Sequence, residues 1–200
     1  MRIVAGTLKG RRLLSPSWDG LRPTSDRLRE TLFNIVASRA QDARVLDGFA
    51  GTGAVGIEAL SRGAAHVTFV ESDRRAVELI RRNLAACRVR DAYTMIPVPF
   101  AVAVQRLEGA EFDLVLLDPP YAAEDVDDVV RAAGDWLAPG GWLVLEHGAA
   151  RSAPEAAGAV ERFRVVRAGD SALSFYRRRS GEGGEAGGAA RGRAGRSVIP

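Results

Sequence analysis

The chain has 200 residues, 46% of them hydrophobic and 26% charged, with a formal net charge of +3. That length supports one domain with a real core, and no apolar run approaches the roughly 20 residues of a membrane span. One cysteine, Cys87, and two histidines, His66 and His147, exclude a disulfide framework and argue against a zinc or other metal site. "MRIVAGTLKGRR" breaks into charge too early for a signal peptide, so a soluble, cytoplasmic, monomeric protein without membrane contact is expected.

Charge is unevenly placed. Residues 1–40 carry eight basic and three acidic side chains, residues 41–175 carry 14 and 20, and residues 176–200 carry six and two. An acidic body with a basic leading segment suggests that this segment meets a polyanion, with nucleic acid as the first candidate. The tail carries no such inference, because this chain uses arginine nearly everywhere and lysine only at Lys9.

Residues 2–14 alternate weakly around "GTLKGRRL", which predicts a short basic hairpin; residues 1–20 read as a basic arm. "LRPTSD" then punctuates the chain. Thr24 or Ser25 can cap a helix with Asp26 in its first turn, along which Leu28, Leu32, Ile35 and Val36 recur at helical spacing. From Arg44 the pattern repeats as strand, loop and helix. "RVLD" is a strand entering "GFAGTGAVG", with a helix through Arg62; "HVTFVE" is the second strand and Arg74–Cys87 the second helix. A weaker strand lies near Tyr93–Val98 and a short helix near Val102–Glu108. "FDLVLLD" is the fourth strand, Asp125–Leu137 a helix and "GGWLVLEH" the fifth strand. "FRVVRAG" and "ALSFYRR" have no helix between them and should form a hairpin. These βα units predict an α/β fold: a doubly wound, Rossmann-like, mostly parallel seven-stranded sheet, closed by an antiparallel C-terminal hairpin. The domain should span residues 21–179. Residues 180–200, with seven glycines, read as a disordered tail.

"GTGAVG" at 51–56 satisfies G-x-G-x-x-G between a strand and a helix, and Glu71 ends the next strand 20 residues after Gly51. That is where an acid that binds ribose hydroxyls belongs. The pattern fits an NAD-dependent oxidoreductase, and equally any adenosine cofactor with both hydroxyls free. Asp47, at the strand end before the loop, tips the choice. A carboxylate there would repel a pyrophosphate but suit an ammonium, which S-adenosylmethionine (SAM) carries together with a sulfonium.

"LVLLDPPY" (114–121) is the second constellation. A strand buried on both faces ends in a carboxylate, two prolines and an aromatic ring. The set fits an exocyclic amino group on a nucleobase. Such a nitrogen delocalises its lone pair into the ring and is a poor nucleophile until its hydrogens are held. Asp118 can accept one N–H and the Pro119 carbonyl the other. Pro120 stiffens that carbonyl, and Tyr121 offers a stacking face worth about 1–3 kcal/mol. Catalysis would then rest on alignment and electrostatics, without a covalent enzyme intermediate.

Together these motifs resemble the class I amino-methyltransferases of DNA and RNA. More narrowly, "RIVAGTLKGRRL", "LRPTSDRLRETLFNIV", "LDGFAGTGAVGIEALSRGA", "VTFVESD", "LVLLDPPY" and "GGWLVLEH" resemble the RsmD family, in order over about residues 2–177. That resemblance implies methylation of the N2 amine of one guanine in 16S ribosomal RNA, free or in the assembling small subunit. It also implies that Asp47, Gly51 and Gly53 line the methionine end of SAM, flanked by Phe49, and that Glu71, beside Ser72, holds the ribose. Asp118, Pro119, Pro120 and Tyr121 would hold guanine. The basic segment, through Arg2, Lys9, Arg11, Arg12, Arg22, Arg27 and Arg29, would grip RNA.

Two positions depart from the pattern. Many class I methyltransferases carry an acid after the third strand to bind the adenine amine; "PVPFAVAV" has none, and Phe100 stands there. Gly48 replaces a bulkier apolar residue, with little consequence expected. "DPPY" reads an amine and not a particular base, so an adenine-N6 or DNA amino-methyltransferase is the nearest alternative. A non-catalytic RNA-binding protein with a nucleoside pocket also stays open. His147 and Glu146 end the fifth strand near the sheet's carboxyl edge, where either could be read as a general base. A satisfied or solvated histidine is the favoured reading of His147, because the methylated amine can lose its proton to water; Glu146 is similarly placed and similarly ambiguous.

Overall fold

The computed structural model describes residues 1–18, 26–120 and 125–179. The expectations placed on Arg22, on a cap at Thr24 or Ser25, on Tyr121 and on the 180–200 tail lie outside those residues.

Among the described residues, five helices and eight strands follow in chain order: α1 (Asp26–Ala40), β1 (Arg44–Gly48), α2 (Ala54–Ser61), β2 (His66–Val70), α3 (Arg74–Ala86), β3 (Tyr93–Ile96), α4 (Phe100–Arg106), β4 (Phe112–Leu117), α5 (Val126–Gly134), β5 (Leu137–Gly148), β6 (Ala156–Ala157), β7 (Val160–Ala168) and β8 (Ser171–Arg178). One sheet runs β3-β2-β1-β4-β5-β8-β7-β6. β3 through β5 are parallel, and β8, β7 and β6 continue antiparallel. The expected doubly wound sheet and C-terminal hairpin are present. The eighth strand is the two-residue β6, too short to leave a periodic signal.

The boundaries that shifted have local causes. α4 starts at Phe100, two residues earlier than expected, because the carbonyl of Pro99 accepts from Val102 and Ala103 and opens the helix. α5 stops at Gly134, where Trp136 N–H returns to the Ala133 carbonyl and frees Leu137 to begin β5. Asp73 and Asp125 cap α3 and α5, accepting from Arg75 N–H (2.8 Å) and Asp127 N–H (2.9 Å).

Alternate residues of each central strand feed two cores. Val45, Leu114, Leu116, Val144 and Phe175 pack under α1, α2 and α3. Leu46, Val115, Leu117, Leu143 and Tyr176 pack against α4 and α5. This two-sided burial is why the strands read as continuous apolar runs.

The leading segment is stitched to the body. Arg2 bridges Arg12 antiparallel, and Ile3 and Leu13 lie in the first core. The Glu58 carboxylate on α2 accepts from Val4 N–H (2.8 Å) and Ala5 N–H (3.0 Å). Leu8 N–H donates to Ser61 Oγ (2.9 Å), and Leu14 N–H donates to Asn83 Oδ1 (2.7 Å).

Candidate functional site

The sheet register aligns one row of residues across four strands: Val70, Gly48, Leu117 and Leu145. The residues that follow them are Glu71, Phe49, Asp118 and Glu146. This is the carboxyl edge of the parallel strands, at the point between β1 and β4 where the strand order reverses. Open α/β sheets bind their ligands there.

The glycine loop joins β1 to α2 at that edge. Gly53 has φ +74, and a Cβ there would lie 3.0 Å from Ile80, so a side chain is strained twice over. Thr52 is fixed from below, its carbonyl accepting from Asn83 Nδ2 (3.0 Å). Asn83 thereby ties the loop to Leu14. Glu71 braces the loop from the other side. Its Oε2 accepts from Gly51 N–H (2.7 Å), and its Oε1 from Ser72 N–H (2.8 Å) and Asp73 N–H (2.8 Å). A carboxylate offers about four lone-pair sites, and three are taken by Gly51, Ser72 and Asp73 N–H, so Glu71 is held in place with capacity left for one hydroxyl donor.

Asp47 is buried beneath the loop, its Oδ2 accepting from Gly56 N–H (2.8 Å) in the first turn of α2. Burial pushes its carboxyl up from 3.8 to about 8, with the nearby charges of Asp118 and Glu71 adding to the rise and the Gly56 bond opposing it. Asp118, directly after β4, is pushed up to about 6 by burial. Three carboxylates thus converge, two of them poorly solvated. A ligand carrying positive charge would relieve them, and the ammonium and sulfonium of SAM match that need.

The pH dependence follows from the raised values. Folding favours protonated Asp47, so its contribution is full below 3.8 and is lost as pH rises through about 8. Asp118 acts in the same sense, its contribution being lost as pH rises through about 6. Urea denaturation of the unliganded protein should therefore give lower stability at about pH 8.5 than at about pH 5.5, and Asp47→Asn should flatten the difference. A slope unchanged in Asp47→Asn would remove Asp47 as its source.

Phe49 and Phe100 stack with ring centroids 4.7 Å apart. Phe100 is 4% exposed and also packs on Trp136, so the half-buried Phe49 is the more accessible ring of the pair. Gly48 has a larger consequence than expected. A Cβ there would come within 2.7 Å of Leu117 and 3.2 Å of Phe100, so the missing side chain is what lets this stack sit against β1. Pro119 is buried and Pro120 exposed. His147 is engaged by Ser174 Oγ (2.9 Å) and the Gly148 carbonyl (3.1 Å).

The basic residues separate into groups. Arg2, Lys9, Arg12 and Arg27 are exposed, and Arg11 is half-buried with its guanidinium on the Ala86 carbonyl (3.2 Å). Arg29 is corrected: it is completely buried, donates to the Arg2 carbonyl and to Asp26 (3.1 Å), and stands 3.6 Å from Glu58. It cannot reach a phosphate, and its charge serves the attachment of the leading segment. That segment flanks the glycine loop, with Thr52 Oγ1 3.8 Å from Met1 Sδ and Trp18 under the Arg75 guanidinium.

Comparison with known proteins places the chain in a family. The family model described as conserved hypothetical protein 95 matches residues 1–177. Ribosomal RNA small subunit methyltransferase D of Escherichia coli is 36% identical over 180 residues, covering 89% of this chain and 90% of that protein. A putative rRNA methyltransferase of Bacillus subtilis, YlbH, is 31% identical over 90% of this chain and all 100% of its own length. Among solved structures, the putative methyltransferase yhhF from Escherichia coli superposes with a TM-score of 0.77 at 36% identity, covering 89% of this chain and 97% of that one.

Proposed function

The chain belongs to the conserved hypothetical protein 95 family, the RsmD family, and on that premise we propose that it methylates the exocyclic N2 amine of a guanine in small-subunit ribosomal RNA, using SAM. The observation that carries this reading is the emergence of Asp118, Pro119 and Pro120 from β4 directly beside Asp47 and Glu71 at the strand-order reversal. An amine-holding group and a cation-demanding pocket then share one cleft.

Bound SAM would supply a methyl group on a sulfonium. The protein's part is to hold and orient. Asp47 faces the amino-acid end and Glu71 the ribose, while Phe49, backed by Phe100, packs at the adenine end. Asp118 and the Pro119 carbonyl take the two amine hydrogens, turning the nitrogen lone pair out of the ring system. Tyr121, outside the described residues, is assigned to stack on the base. The methylated amine passes its proton to water, so no side chain is needed as a base, which suits the engaged state of His147. A paired N2 amine is unreachable within a helix, so the guanine enters unstacked.

Glu71→Ala should weaken SAM binding by about 10- to 100-fold, or about 1.4–2.7 kcal/mol, in titration calorimetry. Undiminished affinity would take Glu71 out of the site. The exposed cations Arg2, Lys9, Arg12 and Arg27 are assigned to phosphates. Changing all four to glutamine should make the logarithmic salt dependence of RNA affinity shallower by about 3, with SAM affinity unchanged. A parallel slope would assign RNA binding elsewhere. The function itself is tested by mapping modified nucleosides in small-subunit RNA from a strain lacking the gene. One N2-methylguanosine should be missing, and a complete set would contradict the proposal.

A further inference from the structure

Glu146 has no role in the account above. β4 and β5 run parallel, with Leu116 opposite Val144 and Leu117 opposite Leu145. Asp118 directly follows β4, and one further step in that register would bring it level with Glu146 of β5, at the neighbouring-strand spacing of about 5 Å. Side chains two apart along a strand share a face. Leu116 and Val144 both lie in the core under α1, so Asp118 and Glu146 project to that same side. Both line one pocket, together with Leu32, Asp47 and Leu173. His147 points to the other face and is held by Ser174, which leaves Glu146 as the acid that β5 turns toward this pocket.

The target amine has a neighbour that Asp118 and Pro119 cannot read. In guanine the ring nitrogen beside the amine, N1, carries a hydrogen. In adenine and cytosine the corresponding ring nitrogen carries a lone pair. An amine held by its two hydrogens looks the same in all three bases. The adjacent ring position does not, because a buried N–H needs an acceptor, whereas a lone pair facing a carboxylate is repelled.

Resting on the guanine-N2 reading above, we propose that Glu146 accepts the N1–H of the target guanine, so that Asp118 and Glu146 side by side select guanine over adenine and cytosine. Asp118 is then the group that presents the amine, and Glu146 the group that identifies the base.

The test uses small-subunit RNA in which the nucleotide methylated by the wild-type protein is replaced by 2-aminopurine. That base keeps the N2 amine but has a lone pair at N1. Wild-type kcat/KM should fall about 10- to 100-fold on this substrate, the effect of one unpaired buried polar group. In Glu146→Gln the side-chain amide can donate to the N1 lone pair. Activity on guanine should fall about tenfold, and the preference for guanine over 2-aminopurine should shrink to within about threefold. A purely structural role for Glu146 would lower both activities together and keep the wild-type preference, which would overturn the proposal. The wild-type arm decides independently of whether the variant folds, since equal wild-type rates on guanine and 2-aminopurine would also overturn it. Transfer to adenine in the unmodified RNA is a separate outcome that removes the guanine-N2 reading itself.

Discussion

Replacing Asp118 by alanine should reduce methyl transfer by about 100- to 1,000-fold, the usual cost of losing one preorganised polar contact in a transition state. SAM affinity should change by less than about threefold, because the cofactor contacts assigned above lie on β1, β2 and the glycine loop. The loss should appear in kcat, since an acceptor that turns the nitrogen lone pair acts most strongly as the new bond forms. The carboxyl must be ionised to accept the amine N–H without competing as a donor, and burial holds it up at about 6. Activity of the wild-type protein should accordingly rise with pH through about 6 before levelling, as a single deprotonation requires. Asp118→Asn keeps an acceptor oxygen and should retain more activity than alanine, without that rise. Full turnover in Asp118→Ala would remove the mechanism whichever base is methylated.

The second large effect concerns stability and lies away from the chemistry. Glu58 is completely buried and holds four partners: Val4 N–H, Ala5 N–H, the Arg62 guanidinium at 2.9 Å and Arg29 at 3.6 Å. Glu58→Ala would remove the buried one of Arg29's two counterions, leaving only the exposed Asp26, and would leave two backbone donors without an acceptor. Denaturant unfolding should show a loss of about 3–5 kcal/mol, the range for breaking one side of a buried pair. Glu58→Gln retains an acceptor for the two amides and should cost less. Equal stability of Glu58→Ala and wild type would mean that the leading segment is held without this clamp. For the same reason, removing residues 1–14 would not test RNA contact cleanly, since Ile3 and Leu13 belong to the core.

The legible parts of this protein are those where local chemistry and global position coincide. The βα alternation is readable because each central strand is buried on both faces. The glycine loop is readable because tight turns demand glycine, and "DPPY" because charge and proline rarely close a buried strand. Arg29 was misread for a physical reason. In "DRLRE" it looks like one more exposed cation, and only the fold brings Glu58, 29 residues away, against it. Asn83 and Glu58 left a fainter signal, a polar residue on the buried side of α3 and of α2, but their partners Thr52, Leu14 and Val4 are nonlocal backbone groups with no side-chain signature. Glu146 was visible as an acid at a strand end. Its pairing with Asp118 needed the β4–β5 register, which no motif encodes.

The most direct measurement of the central claim is the identity of the methylated nucleoside. Purified protein, labelled SAM and small-subunit RNA lacking this modification, supplied free and as assembling subunits, are incubated and digested to nucleosides. Label in N2-methylguanosine, absent with Asp118→Ala, is the predicted result. Label in N6-methyladenosine, or none with either form of the RNA, would contradict it.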